Sequence, residues 1–217
     1  MKILAIKQTS SGQNIHFISD KFSEYTLEEL AIQAEKLAIE GIKVFTSKSG
    51  KKALRIQSNK TTEDNLEKAS ITCNDGDYLF FDRHFLFLKT KNGRIKKKWA
   101  AFSGNLNSSI QDQNKSDFGP LPEGEYTVLF TKTLDVQSNE GLWDTIKWIE
   151  KSPAWGFVVT PLQQIKGNNY GRGNFYIHGG LFKGTKGCIE INNLKNSNFH
   201  AFIRLYKRDF KLIVKYT

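Results

Sequence analysis

The feature that most constrains this chain is a glycine-punctuated segment from Tyr170 to Ile191. In it a short apolar run (Phe175, Tyr176, Ile177) ends at His178, Gly179 and Gly180, and Thr185, Lys186 and Gly187 lead into Cys188 and Ile189. A thiol is a strong nucleophile only as thiolate, so it needs a base and backbone N–H groups aimed at the oxyanion that forms on attack. His178 on a strand and Cys188 ten residues later are the candidate pair. Gly179 and Gly180 are expected to let the chain leave the strand sharply, and Gly187 to leave room for a substrate carbonyl beside the N–H groups of Gly187 and Cys188. Thr185 is expected to bond either the sulfur or the local backbone. Lys186 is a cation that would favour thiolate. A buried cysteine and a strand histidine with no joint role is the competing interpretation, and the local glycines weigh against it.

Before this segment the chain falls into two parts. Residues 2–8 and 14–19 read as strands. Thr26, Leu27, Glu28 and Glu29 form a capping box, with Tyr25 and Leu30 placed as a hydrophobic staple. Leu27, Leu30, Ala31, Ala34, Leu37 and Ala38 then make one apolar helical face that Gly41 ends. Residues 42–46 and 51–57 read as a hairpin. The result is a small ββαββ unit within residues 1–60 that shows no paired acids, metal ligands or phosphate loop, followed by a linker over 61–75. From Gly76 the pattern becomes β-rich, with a three-stranded meander over 78–81, 84–89 and 94–102 and a polar loop over 104–116. Pro120 and Pro122 fix a turn into a strand over 126–131. A helix is expected over 138–149, a strand over 155–160, a helix over 193–207 and a closing strand over 210–216. The class is α+β.

With 217 residues, 39% hydrophobic and 12% aromatic, the chain can bury a core of one large or two modest domains. Its charge of +10 raises nucleic acid, anionic membrane or an acidic polymer as partners. No nucleic-acid-binding motif accompanies the charge, so no nucleic acid is expected and an anionic cell wall suits it as well. Two cysteines, Cys73 and Cys188, make no disulfide framework. The four histidines show no ligand spacing, so neither a metal nor a cofactor is expected. His84 is a rival base without glycines or a nucleophile beside it, His16 reads as a surface or half-buried residue, and His200 as a partly exposed one. The N-terminus has too short an apolar run for a secretory signal, and no stretch reaches the length of a membrane span.

The strand ending at Ile177, His178, Gly179 and Gly180, followed by Thr185, Lys186, Gly187, Cys188 and Ile189, resembles the catalytic motif of L,D-transpeptidases. It is most similar to a compact subgroup, type VI secretion effectors that attack peptidoglycan. Phe102-Ser103-Gly104, the run from Gly119 to Tyr126, and Gly171-Arg172 resemble that subgroup's other landmarks in the same order, so the likeness covers residues 76–217. Many members have histidine directly before the Gly-Cys pair and arginine or asparagine two positions after the cysteine, where this chain has Lys186 and Glu190. The resemblance implies a β-rich catalytic domain in which His178 is general base for Cys188 and is oriented by a backbone carbonyl. Cys188 would attack the diamino-acid carbonyl of a peptidoglycan stem tetrapeptide, releasing D-alanine and leaving a thioester. Water would then give L,D-carboxypeptidase activity, and an amine transpeptidation or exchange. Arg172 is the candidate for a substrate carboxylate, with Lys186 as the other candidate substrate-binding residue. An immunity protein and a secretion component are the implied partners, with synthesis in the cytoplasm and signal-independent delivery to a target-cell periplasm. The alternative is a catalytically inactive wall-binding or secretion-adaptor module.

Overall fold

The structure, a computed structural model, describes residues 3–8, 14–19, 24–37, 42–46, 50, 52–56, 70–71, 73–135, 158–180, 184–192 and 199–216. The chain divides into two compact units, Met1–Asn74 with His200–Tyr206, and Asp75–Phe199 with Lys207–Thr217.

In the first unit β1 (Ile3–Gln8) pairs antiparallel with β2 (Asn14–Ser19), and β2 with β3 (Glu24–Thr26). The capping box then turns the chain into α1 (Leu27–Leu37). The Glu29 carboxylate accepts from the Thr26 N–H at 2.7 Å, and the Glu29 N–H donates to Thr26 Oγ1 at 3.2 Å. Leu30 and Ala34 of the apolar stripe join Ile6 and Phe17 in a core on which Tyr25, Leu27, Val44 and Leu54 pack.

The first unit holds more strands than the expected ββαββ pattern. Glu24–Thr26 is an additional strand, because the extended residues before a helix cap can pair with β2 before the chain turns. Among the described residues β4 (Ile42–Thr46) and β5 (Lys52–Ile56) pair only with each other, and β6 (Ser70–Ile71), in the stretch expected to be linker, pairs parallel with β1. The second helix, α2 (Phe199–Tyr206), contributes His200–Tyr206 to this unit. The Cys73 N–H donates to the Tyr206 hydroxyl at 2.9 Å. His200 is buried rather than partly exposed.

The second unit carries the predicted meander as β7 (Tyr78–Phe81), β8 (Phe85–Lys89) and β9 (Ile95–Ser103), with His84 exposed in the turn before β8. β10 (Gly124–Val128) stops short of the expected strand and gives way to a 3-10 turn over Phe130–Lys132. β11 (Leu134–Asp135), β12 (Val158–Gly167), β13 (Tyr176–Gly180), β14 (Ile189–Asn192) and β15 (Phe210–Val214) complete it. The helix expected over 138–149 lies outside the described residues.

The sheet order is β10-β15-β7-β8-β9-β14-β13-β12-β11, and β10 also pairs with β12. That extra pairing closes eight of the strands into a ring, so neither β10 nor β12 is left as a bare edge. β12 continues through Pro161 where a loop was expected. Pro161 sits where the partner changes, Thr160 and Pro161 facing β13 and Leu162 onward facing β10. A proline, which has no ladder donor, is tolerated at such a break. Along the strands one side of the pleat is buried, including Leu79, Phe81, Leu86, Leu88, Tyr126, Val128, Ile177, Ile189, Ile191, Leu212 and Val214.

Candidate active site

His178 lies in β13, and Cys188 directly precedes β14, the strand that pairs parallel with it. Ile177 faces Ile189 and His178 faces Glu190 in register. Side chains two apart on a strand share a face, so Tyr176, His178 and Glu190 lie on one side, opposite the buried Ile177, Ile189 and Ile191. Cys188 stands just before β14, with its sulfur in hydrogen-bond reach of the Tyr176 N–H.

Both groups are buried, Cys188 to 2% and His178 to 5% exposure, and burial sets their protonation. It pushes the Cys188 thiol up to about 12, against which a hydrogen bond from the Tyr176 N–H and the charge of Arg172 work to lower it. It pushes His178 down to about 4, against the hydrogen bond to Gly179. His178 Nδ1 lies 3.0 Å from the Gly179 carbonyl oxygen. A carbonyl only accepts, so Nδ1 carries the proton and Nε2 the lone pair of the neutral ring. The resting pair is therefore thiol and neutral imidazole, not the thiolate–imidazolium pair that a depressed thiol would give. The Cys188 S–H donates to the Asn174 carbonyl at 3.9 Å.

The approach to Cys188 is fixed by Thr185. Its hydroxyl donates to the Cys188 carbonyl at 2.7 Å and accepts from the N–H groups of Gly187 at 3.2 Å and Gly104 at 3.0 Å. The Thr185 N–H donates to the Gly104 carbonyl at 2.9 Å. Of the two uses expected for Thr185, the local backbone is the one formed. The Gly187 N–H is thereby engaged, which differs from the expectation that it would face a substrate.

Ser103, which the sequence marked only as part of a landmark, is fully buried, donates to the Gly187 carbonyl at 3.2 Å and accepts from the Leu121 N–H at 2.8 Å. A side chain with one local cue and two distant partners leaves little trace in sequence.

Gly179 and Gly180 are the last two residues of β13, and the exit expected of them falls outside the described residues; a Cβ on Gly180 would collide with the Glu190 carboxylate, and the missing side chain is the room Glu190 occupies. Two expectations change. Lys186 points outward, its Nζ 3.7 Å from Asp117 with both side chains exposed. Arg172 is buried to 7% exposure, with Nη1 donating to the carbonyls of Gln113 and Pro120 and Nη2 to those of Gly119 and Lys186. Its N–H groups are spent on backbone, so it does not present a free fork to a carboxylate. Among the described residues no cluster of three His, Cys, Asp or Glu side chains could hold a metal ion, and no helix is long and apolar enough to cross a membrane.

Comparison with known proteins places two likenesses on this chain. Residues 2–68 match a family described as a protein of unknown function, DUF3892. The crystal structure of L,D-transpeptidase 1 from Mycobacterium tuberculosis aligns over 83% of this chain and 91% of its own at 12% identity, with a TM-score of 0.30. At that identity and score the likeness carries no weight for function. No curated protein matches the chain.

Proposed function

We propose that the second unit is a cysteine acyl transferase acting on peptidoglycan stem peptides, with Cys188 as nucleophile and His178 as general base. The observation that supports this is the parallel pairing of β13, which carries His178, with β14, which Cys188 directly precedes, together with the Thr185 latch on the approach to the cysteine. The neutral His178 takes the thiol proton at Nε2 as sulfur attacks the amide carbonyl, and the Nδ1–H bond to Gly179 holds the ring for that transfer. The Cys188 N–H is the oxyanion donor, since the Gly187 N–H is used by Thr185. Collapse of the tetrahedral intermediate breaks the C–N bond, the amine leaves with the proton from His178, and a thioester remains. Water or a second amine then releases the acyl group, giving carboxypeptidase or transpeptidase activity. Signal-independent delivery to the wall of a target cell belongs to the same proposal.

The test is mass spectrometry of muropeptides after incubation with the intact chain and with Cys188→Ala. Loss of the terminal D-alanine from tetrapeptide stems, or its exchange for an added D-amino acid, is expected only with Cys188 present. Unchanged muropeptides from a folded wild-type chain would sink the enzyme. The burial of both groups favours a second function, an inactive wall-binding or adaptor module. It predicts unchanged muropeptides together with sedimentation of the protein on intact sacculi.

A further inference from the structure

The acyl transfer above gives Arg172 no part, yet the guanidinium is held against Gly187, the residue before Cys188, by built contacts. Asn168 and Asn169 side chains accept from the N–H groups of Tyr170 and Gly171, and the Asn169 carbonyl accepts from the Arg172 N–H at 2.9 Å, so the loop delivers the side chain in one direction. The guanidinium carbon lies 5.4 Å from the centre of the Phe175 ring. A Cβ on Gly187 would collide with Nη2 and crowd Phe175. The glycine before the cysteine therefore admits this guanidinium, not a substrate carbonyl.

A guanidinium keeps its proton when buried, and a buried charge without an opposite charge is unfavourable. Carbonyl oxygens satisfy its N–H groups but leave its charge. Among the described residues no carboxylate forms a salt bridge with it. The Tyr126 and Tyr216 hydroxyls donate to the Pro122 and Leu121 carbonyls, and burial raises both phenols so that they stay neutral. Of the other groups whose charge acts on it, Asp117 is an exposed carboxylate and Cys188 is buried.

We infer that Arg172 is the counter-charge of Cys188, a positioning residue fixed against the Gly187–Cys188 backbone that stabilises the sulfur as its proton passes to His178. The inference rests on Cys188 being the nucleophile. In that step the S–H bond breaks, an N–H bond forms at His178 Nε2, and the sulfur is left negative in the field of the guanidinium. Arg172 thus takes the part that sequence suggested for Lys186. The direction in which its charge moves the Cys188 thiol agrees.

The test compares Arg172→Lys with Arg172→Gln in the full chain. Both lose the planar fork; only the lysine keeps the charge. Alkylation of Cys188 by iodoacetamide between about pH 7 and 9, below a buried thiol's range, is followed by peptide mass spectrometry with Cys73 as internal reference. The Gln variant is expected to react about tenfold more slowly than the Lys variant, the rate equivalent of one pKa unit. If Arg172 only braces the loops, both variants loosen Cys188 alike and react at the same rate, faster than wild type, and the inference falls. The unmutated chain gives a second measurement free of any folding defect. There the rate ratio of anionic iodoacetate to neutral iodoacetamide is expected to be higher at Cys188 than at Cys73, and an equal or lower ratio would overturn the counter-charge. Neither measurement uses peptidoglycan, so failure of the muropeptide assay and failure of this inference are separate results.

Discussion

His178 shows what burial does to one residue. The ring is neutral in the folded chain because desolvation outweighs the Gly179 hydrogen bond, and neutrality is what lets Nε2 accept a proton. The same shift has a consequence for stability. Between the folded value of about 4 and the ordinary value of 6.5 the unfolded chain binds a proton that the folded chain does not, so stability rises with pH through this window. The contribution is complete above pH 6.5 and lost as pH falls toward 4, with a full size of roughly 3 kcal/mol. Urea denaturation at a series of pH values is expected to show this acid limb in the wild type and a flatter one in His178→Gln, whose amide does not titrate. Parallel limbs in the two proteins would mean that other groups govern the acid side.

At the scale of elements, the site is a meeting of three loops. The 104–122 loop, the 168–175 loop and the approach to β14 are joined by Thr185, Ser103 and Arg172 through backbone groups. Thr185→Val keeps the shape but strands the Gly104 and Gly187 N–H groups and the Cys188 carbonyl. Buried unsatisfied groups of this kind cost about 1–3 kcal/mol each, so the variant is expected to lose roughly 2–4 kcal/mol in denaturation while Cys188 becomes faster to alkylate. Thr185→Ser, which keeps the hydroxyl, should stay close to wild type; equal losses in the two variants would place the effect in the methyl group instead. These contacts also mark the limit of what the sequence discloses. The Thr26–Glu29 box and the alternation of β7, β8 and β9 are legible because their physics is local. His178, Thr185 and Cys188 are legible because their signals lie within one short segment. Arg172 was misassigned because three of its carbonyl partners, Gln113, Gly119 and Pro120, stand 52 to 59 residues earlier, beyond any local pattern. The β10–β12 closure and the parallel β15–β7 pairing are hidden for the same reason.

Over the whole molecule, the chain passes between its two units more than once. It leaves the first unit after Asn74, runs through the second, returns for His200–Tyr206 and leaves again at Lys207. The family likeness over residues 2–68 suggests a self-contained module, whereas the structure gives that module a helix from near the other end of the chain. Tyr206 accepts the Cys73 N–H at 2.9 Å and lies 5.5 Å from the Lys7 ammonium, ring centre to Nζ, and the Phe202 ring packs against it, tilted, at 5.2 Å between centres. A fragment ending at Asn74 loses all of this. It is also near the size at which a single core is marginal, about 60 residues. Far-UV circular dichroism with urea titration is therefore expected to show the 1–74 fragment less stable than the same residues in the full chain by about 1–3 kcal/mol, the range of a lost hydrogen bond and a buried ring edge. Adding a peptide spanning residues 199–206 should restore part of the difference, since binding to the folded state alone shifts the equilibrium toward it. A fragment as stable without the peptide as the parent chain would make the helix an ornament of the first unit, and the chain's return path would then carry no energetic coupling.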